Sequence, residues 1–280
     1  MSDDIQTVRA QFFRQLHQSG NPFILANVWD VGTAKIVAAS GAVALATTSS
    51  GHSHTLGRAD MGNISREESI AHAATIAAAT SVPVSADCEN GYGHSPEDTA
   101  ETVRQAISAG LAGCAIEDTM LPSDRPYSAK DATSRIQSAV IAARETADEF
   151  IITARADGMM LGHYDIDEAI SRLRAFEAVG ADVLYAPLPP DMESLARICD
   201  SVSAPVNALV SGKFCSYTVS DFASIGVARL SLGGTLARAT HSVVLEASRA
   251  MFVDGDFSSL SGAASGEQIE SLLFGTPEES

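Results

Sequence analysis

Basic side chains are scarce in this chain of 280 residues: 18 Lys and Arg face 35 Asp and Glu, leaving a formal charge of -17 and a pI near 4.6. So acidic a surface repels phosphate backbones and anionic headgroups, which argues against nucleic acid or a membrane as partner. A small anionic ligand would then need a local source of positive charge. Cysteine is sparse as well. Cys88, Cys114, Cys199 and Cys215 are scattered without a CxxC pair, so neither a zinc cluster nor a disulfide framework is indicated. No run of 18 apolar residues occurs, and Met1-Ser2-Asp3-Asp4 lacks the basic and apolar portions of a secretion signal, so a cytoplasmic protein is expected. No low-complexity tract or compositional break marks a second domain.

What the chain does have is apolar bulk. With 45% hydrophobic and 19% charged residues it can bury a large interior, and residues 1–280 read as one domain of α/β-barrel size. Short apolar runs recur at 23–26, 43–48, 82–86, 113–116, 150–154, 183–186, 206–209 and 227–230. Helical patterns separate them at 33–40, 66–79, 96–109, 129–147, 166–179, 191–200 and 219–225, several closed by glycine, as at Gly41, Gly110, Gly180 and Gly226. Eight such units predict a closed (β/α)8 TIM-type barrel, with a doubly wound open sheet as the alternative. Val8, Phe12, Phe13 and Leu16 form a stripe that predicts an N-terminal helix capping the barrel bottom. Amphipathic stretches at 238–252 and 268–274, joined by glycine and serine, predict a projecting C-terminal helical arm over 238–280. That arm packs either on a neighbouring copy or back on its own barrel.

The densest chemistry lies in Ser85-Ala86-Asp87-Cys88-Glu89-Asn90-Gly91-Tyr92-Gly93. Asp87 and Glu89, spaced i, i+2 at a strand end, project to one side while Cys88 faces the wall, and the glycines turn the backbone away. Paired carboxylates of this kind suit Mg²⁺ or Mn²⁺; a solvated turn with a helix cap is the plainer reading of the same residues. A barrel puts its chemistry on the loops after the strands, where Asp87, Glu117 and Arg155 all fall.

Taken in order, Asn27-Val28-Trp29-Asp30, Thr48-Ser49-Ser50-Gly51, Leu56-Gly57-Arg58-Ala59-Asp60, the Asp87 segment, Ile116-Glu117-Asp118, Thr153-Ala154-Arg155-Ala156-Asp157 and Pro205-Val206-Asn207 resemble the isocitrate lyase and phosphoenolpyruvate mutase superfamily over residues 21–257. The resemblance implies a Mg²⁺-bearing barrel that acts on 2-oxo or 2-hydroxy acids through an enolate. It assigns Asp87 as direct metal ligand, and Asp60, Glu89 and Glu117 as the acids that hold the metal's waters. It makes Arg155 the substrate-carboxylate arginine and the amides of Ser49 and Ser50 the oxyanion-binding turn, with Thr48 or Ser49 adding a hydroxyl. It also implies a homo-oligomer, commonly a tetramer with exchanged C-terminal helices. Asn207 adds a neutral pocket donor.

The family's Lys-Lys/Arg-Cys-Gly-His lyase loop is replaced here by Asp118-Thr119-Met120-Leu121-Pro122-Ser123-Asp124-Arg125-Pro126-Tyr127, and the Lys-Thr-Asn-Ser gate of the phosphonate enzymes is also missing. Around strand eight, Leu232-Gly233-Gly234-Thr235 stands where the oxaloacetate decarboxylases carry a histidine. Residues 118–130 read as a lid, with Arg125 and Tyr127 near the far end of a substrate. His52, His54 and His94 fall on the active rim as candidate proton donors, and Trp29 and Asp30 near the pocket floor. The expected activity is Mg²⁺-dependent carbon–carbon cleavage or decarboxylation of a small 2-oxo or 2-hydroxy dicarboxylate. Hydrolysis or rearrangement of a phosphonopyruvate-type P–C bond is the alternative, and a non-catalytic barrel that binds metal and oxo acid is the third.

Overall fold

Side-chain caps decide where the helices begin. Asp30, Ser65, Ser95 and Thr218 each accept a hydrogen bond from the third residue of the helix that follows, whose own side chain returns to the cap N–H. The computed structural model describes residues 2–147 and 149–274. Its strands are β1 (Phe23–Val28), β2 (Leu45–Thr47), β3 (Val84–Asp87), β4 (Gly113–Glu117), β5 (Ile151–Arg155), β6 (Val183–Tyr185), β7 (Val206–Leu209) and β8 (Arg229–Ser231). The helices are α1 (Ser2–Leu16), α2 (Val31–Ala39), α3 (Ser49–Thr55), α4 (Arg66–Ala78), α5 (Pro96–Ser108), α6 (Ala129–Thr146), α7 (Ile166–Ala178), α8 (Met192–Asp200), α9 (Val219–Ser224), α10 (Thr235–Arg249) and α11 (Gly266–Phe274). All strands are parallel, each pairs with the next, and β8 pairs with β1, closing the expected barrel.

Alternation along the strands sorts the core. Leu45, Val84, Cys114, Ile116, Ile152 and Leu184 point outward into the helix layer, whereas Ala46, Ser85 and Ala115 line the interior. Bulky branched residues usually fill that interior. Here small ones leave room for a cavity. The bottom is plugged by α1, whose Ala10 and Phe13 are buried against Leu25, Ile151 and Val183. Val8 and Phe12, expected on the same face, are instead 62% and 43% exposed.

Most strand boundaries differ from the sequence reading by one or two residues, and two of the differences have a local reason. Strand two stops at Thr47 because Thr48 caps α3, a helix the sequence pattern did not indicate. Strand eight runs from Arg229 to Ser231 rather than 227–230, so the two polar residues face inward and Leu230 faces out. The C-terminal arm leaves along α10, and α11 returns to lie against α2, with the Lys35 ammonium 5.5 Å from the Phe274 ring. On α10 and just beyond it Val243, Val244, Phe252, Val253 and Phe257 are exposed. Residues 275–280 of the arm lie outside the described residues. No helix among the described residues is long and apolar enough to cross a membrane.

His17, just past α1, ties the plug to the barrel. Its Nδ1 meets Phe13 O at 2.8 Å and its Nε2 lies 3.2 Å from the Arg229 Nη1. Burial, and then Arg229, pull its pKa from 6.5 to about 3. The neutral ring is therefore part of the fold, and its stabilisation is present above pH 6.5 and lost as pH falls toward 3. At pH 5 this amounts to about 2 kcal/mol. His17→Gln is expected to lose correspondingly less stability than wild type between pH 7 and 5 in urea melts, and equal losses would exclude His17 as the group responsible.

Candidate active site

β3 delivers Asp87 to the mouth of the barrel, and β4 and β5 deliver Glu117 and Arg155 beside it. The register pairs Asp87 with Ala115 and Glu117 with Arg155, so the three side chains face one space. Beyond Asp87 the chain enters the left-handed region at Glu89 (φ 46°) and Tyr92 (φ 55°), which costs non-glycine residues about 1–3 kcal/mol each. Gly91 (φ 82°) also sits so close to α5 that a Cβ there would lie 2.6 Å from Thr99 Cγ2. The turn is thus held by the helix beneath it, and it aims Glu89 inward.

Arg155 is the hub. It grips Asp157 in a two-pronged pair, with Nε 3.0 Å from Oδ1 and Nη2 2.5 Å from Oδ2. Its Nη1 donates to Asp87 Oδ1 at 3.1 Å, and its Nη2 is 3.2 Å from Glu117 Oε2. Asp157 is itself positioned from behind: its N–H donates to Asp118 Oδ1 at 2.8 Å, and Asp118 Oδ2 accepts from Tyr164 OH and Arg172 Nη1. The Asp87 Oδ2 accepts from Ser49 N–H at 3.0 Å. Of the two amides expected to meet an oxyanion, Ser49's is therefore engaged. Ser50, at the second position of α3, has no acceptor within its own helix.

Asp87, Glu117 and Asp157 thus meet a single guanidinium, and Asp60 and Glu89 line the recess it borders. Burial pushes the Glu89 carboxyl up to about 7, aided by Asp87 and Asp60 and opposed by the Gly62 N–H. Burial likewise raises Glu117 well above the carboxylate range, with Arg155 pulling it back. Such a surplus of negative charge calls for a further cation. The oxygens agree: Asp60 Oδ1 and Glu89 Oε2 are buried with no hydrogen-bond partner. Both residues line a recess of about 80 Å³, together with Glu117, Arg155 and Asp157. Among the described residues no three His, Cys, Asp or Glu side chains come together as a direct metal cage. Mg²⁺ takes one or two carboxylates and keeps several waters, so a set of neighbouring acids with unpartnered oxygens fits it.

A larger cavity of about 260 Å³ opens beside this recess and runs down the barrel axis. Thr48, Ser49, Ser50, Asp87, Arg155 and Asn207, the residues the sequence reading expected at a substrate, line it together with Asp60, which it expected at the metal. Asn207 is fully buried; its Nδ2 donates to Ser231 Oγ and its Oδ1 accepts from Arg229 Nε, each at 2.8 Å. Other expectations are corrected. His52 stacks on His72 with ring centroids 3.7 Å apart and is pulled down to about 4 by burial and then by His72. No histidine among the described residues lines the large cavity. Tyr127 is buried, with its OH 2.8 Å from His94 Nδ1 and donating to Gly93 O, so it anchors the 118–127 loop instead of meeting substrate. Only residues 122–125 of that loop are exposed. Trp29 is buried in the fold and Asp30 caps α2, and neither lines the cavity. Cys88 lies in the wall, its thiol raised by its hydrogen bond to Cys114 and by burial.

The family model for phosphoenolpyruvate phosphomutase matches residues 13–252. The chain belongs to the phosphoenolpyruvate mutase family. Within the wider isocitrate lyase and phosphoenolpyruvate mutase superfamily, it is 34% identical over 241 residues to an uncharacterized protein of Mycobacterium tuberculosis strain H37Rv, covering 85% of this chain and 88% of that one. It is 29% identical over 197 residues to the 2,3-dimethylmalate lyase of Eubacterium barkeri, covering 68% and 66%. A crystal structure from Burkholderia cenocepacia J2315, provisionally described as a lyase/mutase, superposes with a TM-score of 0.91 at 41% identity, covering 95% and 96%.

Against the family's motif residues, the sequence reading gave no role to Asp118 and Asp157, although both stand inside the matching segments. An acid two residues after Arg155, on the same side of the chain, was the available signal. It also missed Arg229 and Arg238, which line the floor and mouth of the large cavity. The signal for Arg229 was its alternation with Ser231; Arg238 had none, because it was read as the first residue of a helical stretch over 238–252, whereas α10 already begins at Thr235.

Proposed function

We propose that this family member is a Mg²⁺-dependent lyase that cleaves a carbon–carbon bond of a small 2-oxo or 2-hydroxy dicarboxylic acid, or decarboxylates it. The observation that carries the reading is the trio Asp87, Glu117 and Asp157 on Arg155 with Asp60 and Glu89 in the adjoining recess, where Asp60 Oδ1 and Glu89 Oε2 are buried without a partner. A divalent cation, were it held there by Asp87 with Asp60, Glu89 and Glu117, would supply positive charge against a substrate oxygen that becomes negative as the bond breaks. The remaining work falls to the chain's own groups. Arg155 offers the donors that its neighbours leave unused to the substrate carboxylate, and its grip on Asp157 keeps that group oriented. The N–H of Ser50 faces the developing oxyanion. Decarboxylation needs no general base, which suits a cavity that no histidine lines.

The test is product analysis on oxaloacetate, substituted malates, methylisocitrate and phosphonopyruvate, with Mg²⁺ and with EDTA. Pyruvate-type product from a carbon acid, lost in EDTA, supports the proposal. Release of inorganic phosphate moves the enzyme to P–C chemistry, and binding without turnover makes the barrel a binding protein. Arg155→Ala is expected to raise KM strongly, at a cost of about 2–5 kcal/mol in binding; unchanged kinetics would take Arg155 out of the site.

A further inference from the structure

Arg229 occupies the first position of β8 with its side chain inside the barrel, 3% exposed, at the floor of the large cavity. Its hydrogen-bond partners are all neutral. Nε donates to Asn207 Oδ1 at 2.8 Å, and Nη1 donates to Thr153 Oγ1 at 3.1 Å and to His17 Nε2 at 3.2 Å. The His17 ring is neutral, since its pKa lies near 3, so it contributes a lone pair and no charge. Among the described residues no carboxylate lies within ion-pair distance of this guanidinium and no acceptor meets its Nη2.

An unpaired buried cation costs several kcal/mol, and proteins seldom keep one without a use. Burial draws the Arg229 pKa down to about 9, opposed by Tyr185 and assisted by Arg155. The cavity is therefore polarised. Its upper end is lined by Asp60, Asp87 and Arg155, beside the recess that holds Glu89, Glu117 and Asp157, whereas its floor holds one cation and no anion. Ser85, Ala115 and Thr153 stand two residues before Asp87, Glu117 and Arg155, which places them one pleat deeper, roughly 7 Å along the barrel. Arg229 reaches that deeper level, because it touches Thr153. The small side chains of Ser85 and Ala115 line the same cavity. The distance is that of a short carbon chain with an acid at each end.

We propose that Arg229 is a second anion anchor, which receives the distal carboxylate of a substrate whose 2-oxo or 2-hydroxy acid end lies against Asp87 and Arg155. The inference rests on the dicarboxylate reading of the site and adds the residue that enforces it. A carboxylate accepts a guanidinium's paired donors, and an analogue without it leaves the buried charge unmet, so Arg229 discriminates dianions from monoanions.

Titration calorimetry in Mg²⁺ with three probes tests this: oxalate, which fills only the upper end, and the pair malate and 2-hydroxybutyrate, which differ by one carboxylate. Wild type is expected to favour malate over 2-hydroxybutyrate by about tenfold or more. Arg229→Met is expected to lose that preference while its oxalate affinity stays within about twofold. Arg229→Gln keeps a donor for Asn207 and removes the charge, and it gives the same reading should the Met variant not fold. A preference for malate that survives in either variant overturns the anchor and leaves the lyase proposal standing. Loss of oxalate together with malate assigns Arg229 a structural role and also overturns it. A wild type that binds none of the three, with or without Mg²⁺, overturns both proposals.

Discussion

Asp87→Ala is expected to lower kcat by about 10³-fold, roughly 4 kcal/mol of transition-state stabilisation, and to abolish any Mg²⁺-dependent rise in melting temperature. Asp87 is the one acid that bridges both halves of the site: Oδ2 takes the Ser49 amide at the head of α3, and Oδ1 takes Arg155. Removing it would deprive a bound divalent cation of a carboxylate, and it leaves the Ser49 amide and one Arg155 N–H without their acceptor. In EDTA the variant is expected to melt within a few degrees of wild type, because five crowded carboxylates become four and the lost repulsion offsets the lost pair. Activity and melting measured in both buffers separate the two effects. A fall in kcat below tenfold, or an intact response to Mg²⁺, would remove Asp87 from the cation's coordination.

The largest effect on stability is expected behind the site, at Asp118. This carboxylate is 2% exposed and accepts three hydrogen bonds, from Asp157 N–H, Tyr164 OH and Arg172 Nη1. Burial raises its pKa, with the Asp157 charge adding to the rise and the three donors opposing it. Asp118→Ala leaves the Arg172 guanidinium without its buried partner, although Glu168 still meets Nε at 2.9 Å from the surface side. Breaking a buried pair in this way costs about 3–5 kcal/mol, or roughly 10 °C in Tm for a chain of this size. Because the Asp157 amide loses its acceptor too, Arg155 loses its backing, and KM is expected to rise along with the drop in Tm. Calorimetric melting checks the first outcome and steady-state kinetics the second. A Tm within about 2 °C of wild type would show that Glu168 and Tyr127 O, the other acceptors of Arg172, suffice.

Local chemistry carried much of this in advance. Eight apolar runs with glycine stops read as a barrel because buried parallel strands are apolar on both faces and helices end where a left-handed residue is cheap. Asp87, Glu89, Glu117 and Arg155 were legible because a barrel's topology alone sends strand-end residues to one rim, and the tertiary structure brings all four together. Asp60 lies on the loop before α4, and only its place in the matching motif marked it.

What the chain order could not convey is which polar groups share a neighbour. Tyr127 reads as a lid residue near the far end of a substrate, yet Asn90, His94 and Arg135 enclose it, two groups from the segment after β3 and one from the following helix. Arg229 reads as the interruption of an apolar strand, and its meaning comes from Asn207, Thr153 and His17, which lie 22, 76 and 212 positions away. Periodicity along the chain reports how each segment meets water, and that sufficed for the barrel and its acidic rim. Whether a buried charge is paired depends on the few ångströms across the barrel axis, a distance that only the closed fold sets.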